Sequence, residues 1–293
     1  MGKAWRLVAA SRVGRELSAA PSPLETVYRS EAVLDSGTFS TVHFAERRSD
    51  GEMVALKQIR CDSDSETRRA AEEEYAIMSS ISHSAIVRAS AWHETESSAW
   101  ICMEYCNLGS VTKYVKFRGT IDVTDARSLA HQLLSAVNHL HQKRYVHRDV
   151  KPENALLSDD AGELRLKLAD FNSAKRIGDH AGATAMLSVR GTRLYAAPEI
   201  HSGTWSERVD IWGCGLCVFV MLAGRLPFIP GSDESQRLLT LGLVPPMDFA
   251  QAPGFMGNLV RQCLEPDPWS RPPAMELLAH PVFDLLMLFP RSC

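Results

Sequence analysis

The amino-acid sequence predicts an α+β fold in which a small, mainly antiparallel β region precedes a larger, mainly α-helical region. Early in the chain, short strand-like runs at 31–34, 42–45 and 53–59 are separated by turns of small and polar residues. Residues 124–141 place apolar side chains along one helical face, and the apolar run 211–223 is typical of a buried core helix. These patterns predict a sheet first and a helical core after it.

The composition is that of an ordinary globular protein without a strong electrostatic bias. The 293 residues are 45% hydrophobic and 23% charged, with a net charge of -3, which suits one large domain or two lobes. A charge this close to neutral gives no reason to expect nucleic-acid binding. Seven cysteines, an odd number, do not predict a disulfide framework, so we expect a reducing location, cytoplasmic or nuclear.

Both ends of the chain are predicted to be tails. Residues 1–26 are predicted as a flexible basic tail, since within residues 1–23 one acid, Glu16, stands against four cations: Lys3, Arg6, Arg12 and Arg15. The same composition mildly resembles an organelle transit peptide, an interpretation that we place second. Residues 286–293 are predicted as a short C-terminal tail, and no apolar run is long enough to predict a membrane span.

The residues with the most distinctive chemistry lie between 147 and 172. The chain reads H-R-D-V-K-P-E-N at 147–154 and, after a predicted hairpin, A-D-F-N at 169–172. Phosphoryl transfer needs a carboxylate to accept the proton of the attacking hydroxyl, a cation near the moving phosphate, and oxygen ligands for Mg²⁺. These groups would be supplied by Asp149, by Lys151, and by Asn154 with Asp170. A hairpin would return the two oxygen ligands to the same end.

The two segments resemble the catalytic and metal-binding segments of eukaryotic protein kinases, H-R-D-x-K-x-x-N and D-F-G. Further matches are V-A-L-K at 54–57, G-T-R-L-Y-A-A-P-E at 191–199 and D-I-W-G-C-G at 210–215. The resemblance covers residues 27–285. It implies a two-lobed, protein-kinase-like fold with an N-lobe at 27–104 and a C-lobe at 107–285.

The resemblance implies an enzyme, an ATP-dependent serine/threonine protein kinase. It would transfer the γ-phosphate of Mg-ATP to serine or threonine hydroxyls of protein substrates. Asp149 and Lys151 are the implied catalytic residues of the loop, and Asn154 and Asp170 are the implied ligands of Mg²⁺.

A lysine and a glutamate of the N-lobe complete the implied catalytic set. In the helix predicted over 67–81, Ala71, Glu74 and Met78 share one face, so Glu74 lies in the inward stripe, where a carboxylate needs a partner. Lys57, on a predicted strand, is the expected partner. In the family this Lys–Glu pair orients the lysine on the α- and β-phosphates of ATP.

The resemblance also implies an ATP-binding site built from these residues: Leu34, Gly37, Val42, Ala55, Lys57, Met103, Glu104, Cys106 and Leu156. Gly37 is the one glycine kept in the loop that would cover the phosphates, where Asp35 and Ser40 replace the other two. A carboxylate at Asp35 would repel phosphate unless it points away. Each residue is also an ordinary core or hairpin residue, and only the register of the resemblance makes them a pocket.

Asn172 replaces the glycine of the D-F-G motif. Asparagine tolerates the left-handed conformation best after glycine, so we expect reduced flipping of Asp170 and Phe171 rather than an inactive site. With Asp35, this departure supports one alternative, a pseudokinase scaffold with weak or no phosphoryl transfer. The complete set of base, lysines and metal ligands stands against that alternative.

The resemblance extends to regulation. Arg148 would pair with a phosphorylated residue of the activation segment, which orders that segment. Ser188 is the best-placed acceptor and Thr184 the second, and either could be modified by an upstream kinase or by autophosphorylation.

Substrate choice is expected to differ from that of relatives that strongly select arginine. Where such relatives carry three glutamates, this chain keeps Glu153 but has Ser110 and Val220 at the other two positions. Because an arginine needs a carboxylate when it is desolvated, we expect its selection here to be weak.

Overall fold

The structure, a computed structural model, describes residues 23–37, 40–62, 65–178, 195–202, 205–228, 247–250, 252 and 254–284. Its strands, in chain order, are β1 Tyr28–Ser36, β2 Ser40–Arg47, β3 Met53–Arg60, β4 Ala89–Thr95, β5 Ser98–Glu104, β6 Gly109–Ser110, β7 Tyr145–Val146, β8 Ala155–Asp160, β9 Glu163–Leu168 and β10 Lys175–Arg176. Its α-helices are α1 Pro23–Val27, α2 Glu66–Ser80, α3 Val111–Arg118, α4 Val123–Gln142, α5 Arg208–Ala223, α6 Gly254–Cys263 and α7 Ala274–Leu278. Short 3₁₀ helices lie at Pro198–Ser202 and Pro281–Phe283.

The chain divides into two compact units, as the two-lobed fold class predicts. The smaller unit holds the described residues up to Ser79 together with Arg88–Tyr105, and the larger unit holds Ser80–Val87 and the described residues from Cys106 onward. The smaller unit is an antiparallel sheet with strand order β1-β2-β3-β5-β4 and the long helix α2. The larger unit is mainly helical. The predicted fold class is therefore confirmed.

The sheet of the smaller unit is covered on both faces. Val54 and Leu56 of β3 belong to an apolar cluster with Tyr28, Ala45 and Cys102, against which Leu24 of α1 packs. The residues between them on β3, Ala55 and Lys57, are also buried, and Lys57 meets a side chain of α2. Residues 23–26, which were predicted as part of the tail, thus contribute Leu24 to the packing of this cluster. Residues 1–22 and 285–293 lie outside the described part.

Two long helices form the centre of the larger unit. Helix α4 begins where the side chain of Asp122 accepts hydrogen bonds from the N–H groups of Thr124 and Asp125. Helix α5 is buried along nearly its whole length, and Gly224 ends it with the left-handed φ of 72° that favours glycine. The helices predicted over 124–141 and 211–223 are confirmed.

The boundary between the units differs from the predicted one at residues 80–87. This segment belongs to the larger unit, because Val87 N–H donates to Leu168 O (2.9 Å) and Leu168 N–H donates to Ala85 O (2.9 Å). The prediction followed chain order and assigned the segment to the N-lobe. Backbone hydrogen bonds to β9 decide otherwise.

The described residues contain no helix that combines the length and the apolar character needed to cross a membrane. The six cysteines that the structure describes are free and buried: Cys61, Cys102, Cys106, Cys214, Cys217 and Cys263.

Candidate active site

The catalytic loop at 147–154 contains the carboxylate of Asp149, one oxygen of which accepts hydrogen bonds from two neighbouring side chains. Asp149 Oδ2 accepts hydrogen bonds from Lys151 Nζ (2.7 Å) and from Asn154 Nδ2 (2.9 Å). The Asn154 amide also donates to the backbone oxygen of Asp149 (2.9 Å). Because both side-chain donors converge on Oδ2, the carboxylate has a fixed orientation and presents Oδ1 to other groups.

The protonation of Asp149 is set by its surroundings. Burial raises the pKa of Asp149 above the ordinary aspartate value, and the nearby charge of Asp170 raises it further. The charge and hydrogen bond of Lys151 act in the opposite direction and lower it, as does His147 to a smaller degree. Burial outweighs these cations, so the carboxylate is a stronger base than a solvated aspartate.

The backbone of the loop is anchored by a buried aspartate of α5. Asp210 Oδ1 accepts the N–H of Arg148 (2.7 Å), and Oδ2 accepts the N–H of His147 (2.9 Å) and lies 2.9 Å from His141 Nε2. Burial alone would raise the pKa of Asp210, but the hydrogen bonds and charges of His141 and His147 outweigh it and hold that pKa below the ordinary value. The loop is therefore bound to α5 through main-chain groups.

A glycine of the same helix lets the loop approach closely. A Cβ added at Gly213 would lie well inside van der Waals contact of the Val150 carbonyl oxygen and 2.7 Å from Val150 Cβ. Val150 directly follows Asp149. A side chain at position 213 would thus collide with the main chain of the loop, which cannot rotate away as a flexible side chain could.

The two predicted metal ligands are brought to the same end of a hairpin. Strands β8 and β9 pair in the register Ala155↔Leu168, and Ala169 N–H donates to Asn154 O (2.9 Å). The turn residues Ala161 and Gly162 both have positive φ, as in a two-residue type I′ turn. The predicted hairpin is confirmed, and Asp170 follows immediately after the residue bonded to Asn154.

The donor chemistry at this end fits Mg²⁺. The amide nitrogen of Asn154 is bonded to Asp149, so its oxygen is the atom available to a cation, and Asp170 supplies a carboxylate. Among the described residues, no group of three or more His, Cys, Asp and Glu side chains could enclose an ion by itself. An ion held by Asn154 and Asp170 would complete its coordination with phosphate oxygens and water, as Mg²⁺ usually does.

The backbone around Asn172 differs from what the sequence suggested. Positive φ occurs at Asp170 (66°), whereas Asn172 is not among the described residues with positive φ. Asn172 instead lies in a turn that Ala174 N–H closes by donating to Phe171 O (3.0 Å). In this conformation position 172 does not need the backbone freedom of glycine. One physical reason to expect weak or no phosphoryl transfer is thereby removed.

In the smaller unit, the expected ion pair between β3 and α2 is present. Lys57 Nζ lies 2.7 Å from Glu74 Oε1 and 2.9 Å from Oε2, and the two residues are only 7% and 3% exposed. Strand register places Val42 opposite Lys57 and Ala55 opposite Met103. Since directly opposed residues point to the same side of a sheet, these four predicted nucleotide-binding residues share one face.

The described contacts of the other residues predicted to bind the nucleotide agree less well with that role. Leu34 lies at an irregularity of the β1–β2 pairing. The N–H of Gly37 donates to Ser40 O (2.8 Å), and that of Glu104 donates to Arg88 O (3.0 Å), so neither amide is directed at a ligand in this conformation. Cys106 and Leu156 belong to the larger unit, and their part in this site stays a prediction.

Beside the catalytic loop lies a depression lined by Asp149, Val150, Tyr195, Ala197, Ile200 and other residues of the larger unit. Tyr195 OH donates a hydrogen bond to Glu153 Oε1 (3.0 Å), and the same oxygen accepts a second hydrogen bond from Thr112 Oγ1 (3.0 Å). Burial, and then the charge of Glu153, raises the pKa of Tyr195 far above its ordinary value, so the hydroxyl stays a donor. Tyr195 and Thr112 were not predicted from the sequence as partners of Glu153.

Arg148 contacts Ser173, near the start of the activation segment that the resemblance implies at 170–199, and Trp205, which follows that segment. Its Nε donates to Ser173 O (2.7 Å), and its guanidinium carbon lies 5.0 Å from the centre of the Trp205 ring. Ser188 and Thr184, the predicted phosphate acceptors, lie outside the described residues.

One buried charge was not predicted from the sequence at all. Arg68 of α2 is 4% exposed and lies on the same helical face as Ala71 and Glu74. Its spacing, three residues before Ala71, was the available signal.

A model of the protein kinase domain matches residues 28–283. The serine/threonine-protein kinase cds1 of Schizosaccharomyces pombe is 32% identical over 266 residues, which cover 85% of this chain and 57% of that protein. Calcium/calmodulin-dependent protein kinase type 1B of Rattus norvegicus is 31% identical over 261 residues, 88% of this chain and 75% of that protein. Mitogen-activated protein kinase kinase kinase 5 of Arabidopsis thaliana is 29% identical over 271 residues, 88% of this chain and 37% of that protein.

The chain thus spans 57% and 37% of the length of two of these relatives and three quarters of the third. The match to the family covers both units and contains the catalytic loop, the Lys57–Glu74 pair and the Asn154–Asp170 hairpin end. The chain belongs to the protein kinase domain family.

Proposed function

We propose that this chain is an ATP-dependent serine/threonine protein kinase, which transfers the γ-phosphate of Mg-ATP to hydroxyl groups of protein substrates. The observation that carries the proposal is the catalytic loop, where the buried carboxylate of Asp149 is bonded through one oxygen to Lys151 and Asn154. The three relatives described above all carry the names of kinases, which supports the proposal over the pseudokinase alternative.

Each residue of the loop has a distinct proposed role. Asp149 accepts the proton of the substrate hydroxyl through Oδ1, because Oδ2 is engaged by its neighbours. Lys151 places its ammonium group beside Asp149 and stabilises the charge of the phosphoryl group in transit. Asn154 and Asp170 hold Mg²⁺, which neutralises phosphate charge when bound.

ATP is proposed to contact the residues predicted from the sequence. Lys57, oriented by Glu74, meets the α- and β-phosphates. The adenine ring is proposed to contact Leu34, Val42, Ala55 and Leu156, with Met103 behind it, and to bond backbone groups of Glu104 and Cys106. Gly37 is proposed to lie in the loop that covers the phosphates. For Glu104, the carbonyl oxygen is the proposed contact, since its N–H is already donated.

The substrate groove is proposed to select arginine weakly. Oε1 of Glu153 already accepts two hydroxyl groups, which reduces what that carboxylate can offer to a guanidinium. Ser110 Oγ accepts the N–H of Lys113 and caps α3, and Val220 is buried and apolar. A positional peptide library tests this point, and a dominant requirement for arginine before the acceptor would contradict it.

Regulation through Arg148 is also proposed. A phosphate on Ser188, or on Thr184, would add an anion for this guanidinium, which already contacts Ser173 near the start of the segment and Trp205 beyond its end. Mass spectrometry of active protein is expected to find one of the two modified, and finding both unmodified would contradict the proposal. A cytoplasmic location remains an expectation from composition.

The decisive test of the function is Asp149→Asn. We expect the substitution to lower kcat by about 10²- to 10⁴-fold, because an amide cannot accept the proton, while the similar shape preserves folding and nucleotide binding. Phosphate transfer from radiolabelled ATP to a generic protein substrate measures the loss, and a thermal-shift assay with Mg-ATP checks binding.

Asp160→Asn is the matched control, since Asp160 is exposed at the hairpin turn and should keep wild-type kcat. Transfer that survives in Asp149→Asn would refute the proposed base. Wild-type protein that binds Mg-ATP without any transfer would instead favour the pseudokinase alternative.

A further inference from the structure

The inward face of α2 carries two charged side chains of opposite sign. The buried residues of this helix are Arg68, Ala71, Glu74 and Met78, whose spacing of three and four places them in one stripe. Glu74 pairs with Lys57 of β3, as described above. Arg68 lies in the first turn of α2, six residues earlier, and is as buried as Glu74.

The guanidinium of Arg68 is enclosed by backbone oxygens. Its donors reach two groups of acceptors, the residues directly after β3 and the end of β4 with the turn that follows it. The distances are 3.4 Å to Cys61 O, 3.1 Å to Asp62 O, 2.7 Å to Thr95 O, 3.4 Å to Glu96 O and 3.2 Å to Glu94 Oε2. Three separate segments of the smaller unit thus meet at one side chain.

The helix itself gives no reason for a cation at this place. The first turn of a helix carries partial positive charge, so an arginine there is opposed by the helix dipole. The amino terminus is already capped, because the N–H of Arg68 donates to Ser65 Oγ (3.2 Å). A buried guanidinium is tolerated only where hydrogen bonds compensate for lost water, so the cage of carbonyls explains its burial.

The cage depends mainly on main-chain atoms. Four of the five acceptors are backbone carbonyls, and the carboxylate of Glu94 is 59% exposed. The position of the guanidinium is therefore defined by the ends of the strands and not by another mobile side chain.

We propose that Arg68 is a positioning residue for the catalytic lysine, an inference that rests on the proposed kinase function. Its guanidinium holds the first turn of α2 against the β3 end and the β4–β5 turn, so that Glu74 meets Lys57. The two residues are six positions apart, about 9 Å along the axis, and a stiff helix does not let them move independently. Loss of the Arg68 anchor lets α2 rotate or shift, which separates Glu74 from Lys57.

The test compares Arg68→Met with Arg69→Met. Both substitutions keep a long, unbranched side chain and remove one positive charge from neighbouring positions, but Arg69 is exposed. We expect Arg68→Met to lower kcat/KM for ATP by about 10- to 100-fold through misplacement of the pair, whereas Arg69→Met retains the wild-type value.

A second measurement is independent of catalysis. The rate at which a small amine-reactive reagent labels Lys57, followed by mass spectrometry, should rise in Arg68→Met because the lysine is no longer shielded by Glu74. It should be unchanged in Arg69→Met. If wild-type protein shows no phosphoryl transfer, the proposed function fails, while the labelling rate still tests the positioning role.

A double-mutant cycle separates positioning from general stabilisation. If Arg68 acts through Glu74, then Arg68→Met combined with Glu74→Gln should be no slower than Glu74→Gln alone. Losses that multiply would show that Arg68 acts independently of the pair and would overturn the proposal.

Arg68→Lys keeps the inference testable if Arg68→Met does not fold. A lysine retains the charge but cannot satisfy acceptors on two segments at once, so we expect intermediate kcat/KM and an intermediate Lys57 labelling rate. Wild-type values for both measurements in the folded Arg68 variants would overturn the positioning role.

Discussion

Helix α2 and the catalytic loop at 147–154 are held in place in different ways. Helix α2 is held by two charged side chains, Glu74 on Lys57 and Arg68 in its cage of carbonyls. The loop is held through its main chain, since Asp210 accepts two of its N–H groups and Gly213 admits the Val150 backbone.

The difference affects what each region can tolerate. Because the loop is positioned by its backbone, we expect that Asp149 and Lys151 can be replaced without displacing it. The position of α2 depends on charged side chains, so a single substitution that removes one of these charges can alter it. In the loop, main-chain groups set the position and side chains carry the proposed chemistry, whereas in α2 the side chain of Glu74 serves both purposes.

The largest effect is expected where the backbone contact of the loop is broken. Gly213→Ala places a Cβ against the Val150 carbonyl and is expected to displace Val150, which follows the proposed catalytic base Asp149. A displacement of this kind should lower kcat by about 10²-fold, with a smaller change in KM. Steady-state kinetics at saturating ATP and substrate measures it.

Gly215→Ala is the control for this experiment. Its Cβ would meet side-chain atoms of Cys263 (2.7 Å) and Leu264 (2.9 Å), away from the loop. We expect both variants to lose about 1–3 kcal/mol in the free energy of unfolding from overpacking, but only Gly213→Ala to lose kcat. Equal losses of kcat would show that the loop is not positioned by this contact.

A smaller effect is expected from Glu74→Gln in α2. The amide keeps the shape but removes the negative charge that orients Lys57. Since a hydrogen bond to a charged group contributes about 1.5–3 kcal/mol, kcat/KM for ATP should fall by about 10-fold or more. Glu72→Gln, at an exposed position of the same helix, should leave it unchanged. Similar values for the two variants would contradict a role for the pair.

The smallest effect concerns pH and tests the environment of the base. The pKa of Asp149 is raised by burial, so activity should be lost, as pH falls, at a higher pH than for an ordinary aspartate. Lys151 favours the carboxylate form and lowers this pKa. In Lys151→Ala the acidic limb of kcat/KM should therefore move to still higher pH.

The measurement is a pH–rate profile of each variant, with Lys116→Ala as an exposed-cation control. A limb that stays in place or moves to lower pH in Lys151→Ala would show that this lysine does not stabilise the ionised base.

The residues of the site differ in how much the sequence revealed. The loop was predictable because its chemistry is concentrated in one octet, and Glu74 was predictable from helical spacing. The partners of Arg68 were not predictable, because four of its five acceptors are main-chain oxygens, which no residue type reveals. The contact at Gly213 was hidden for the same reason, and residues 80–87 were assigned by chain order although hydrogen bonds attach them elsewhere.

The apolar cover that α1 provides sets a limit on how short this domain can be made. A fragment trimmed to the family match at 28–283 would omit Leu24 and expose the cluster around Tyr28 and Leu56 to solvent. An uncovered apolar sheet face invites self-association during expression. A soluble recombinant domain should therefore start at or before Pro23, where the described helix begins.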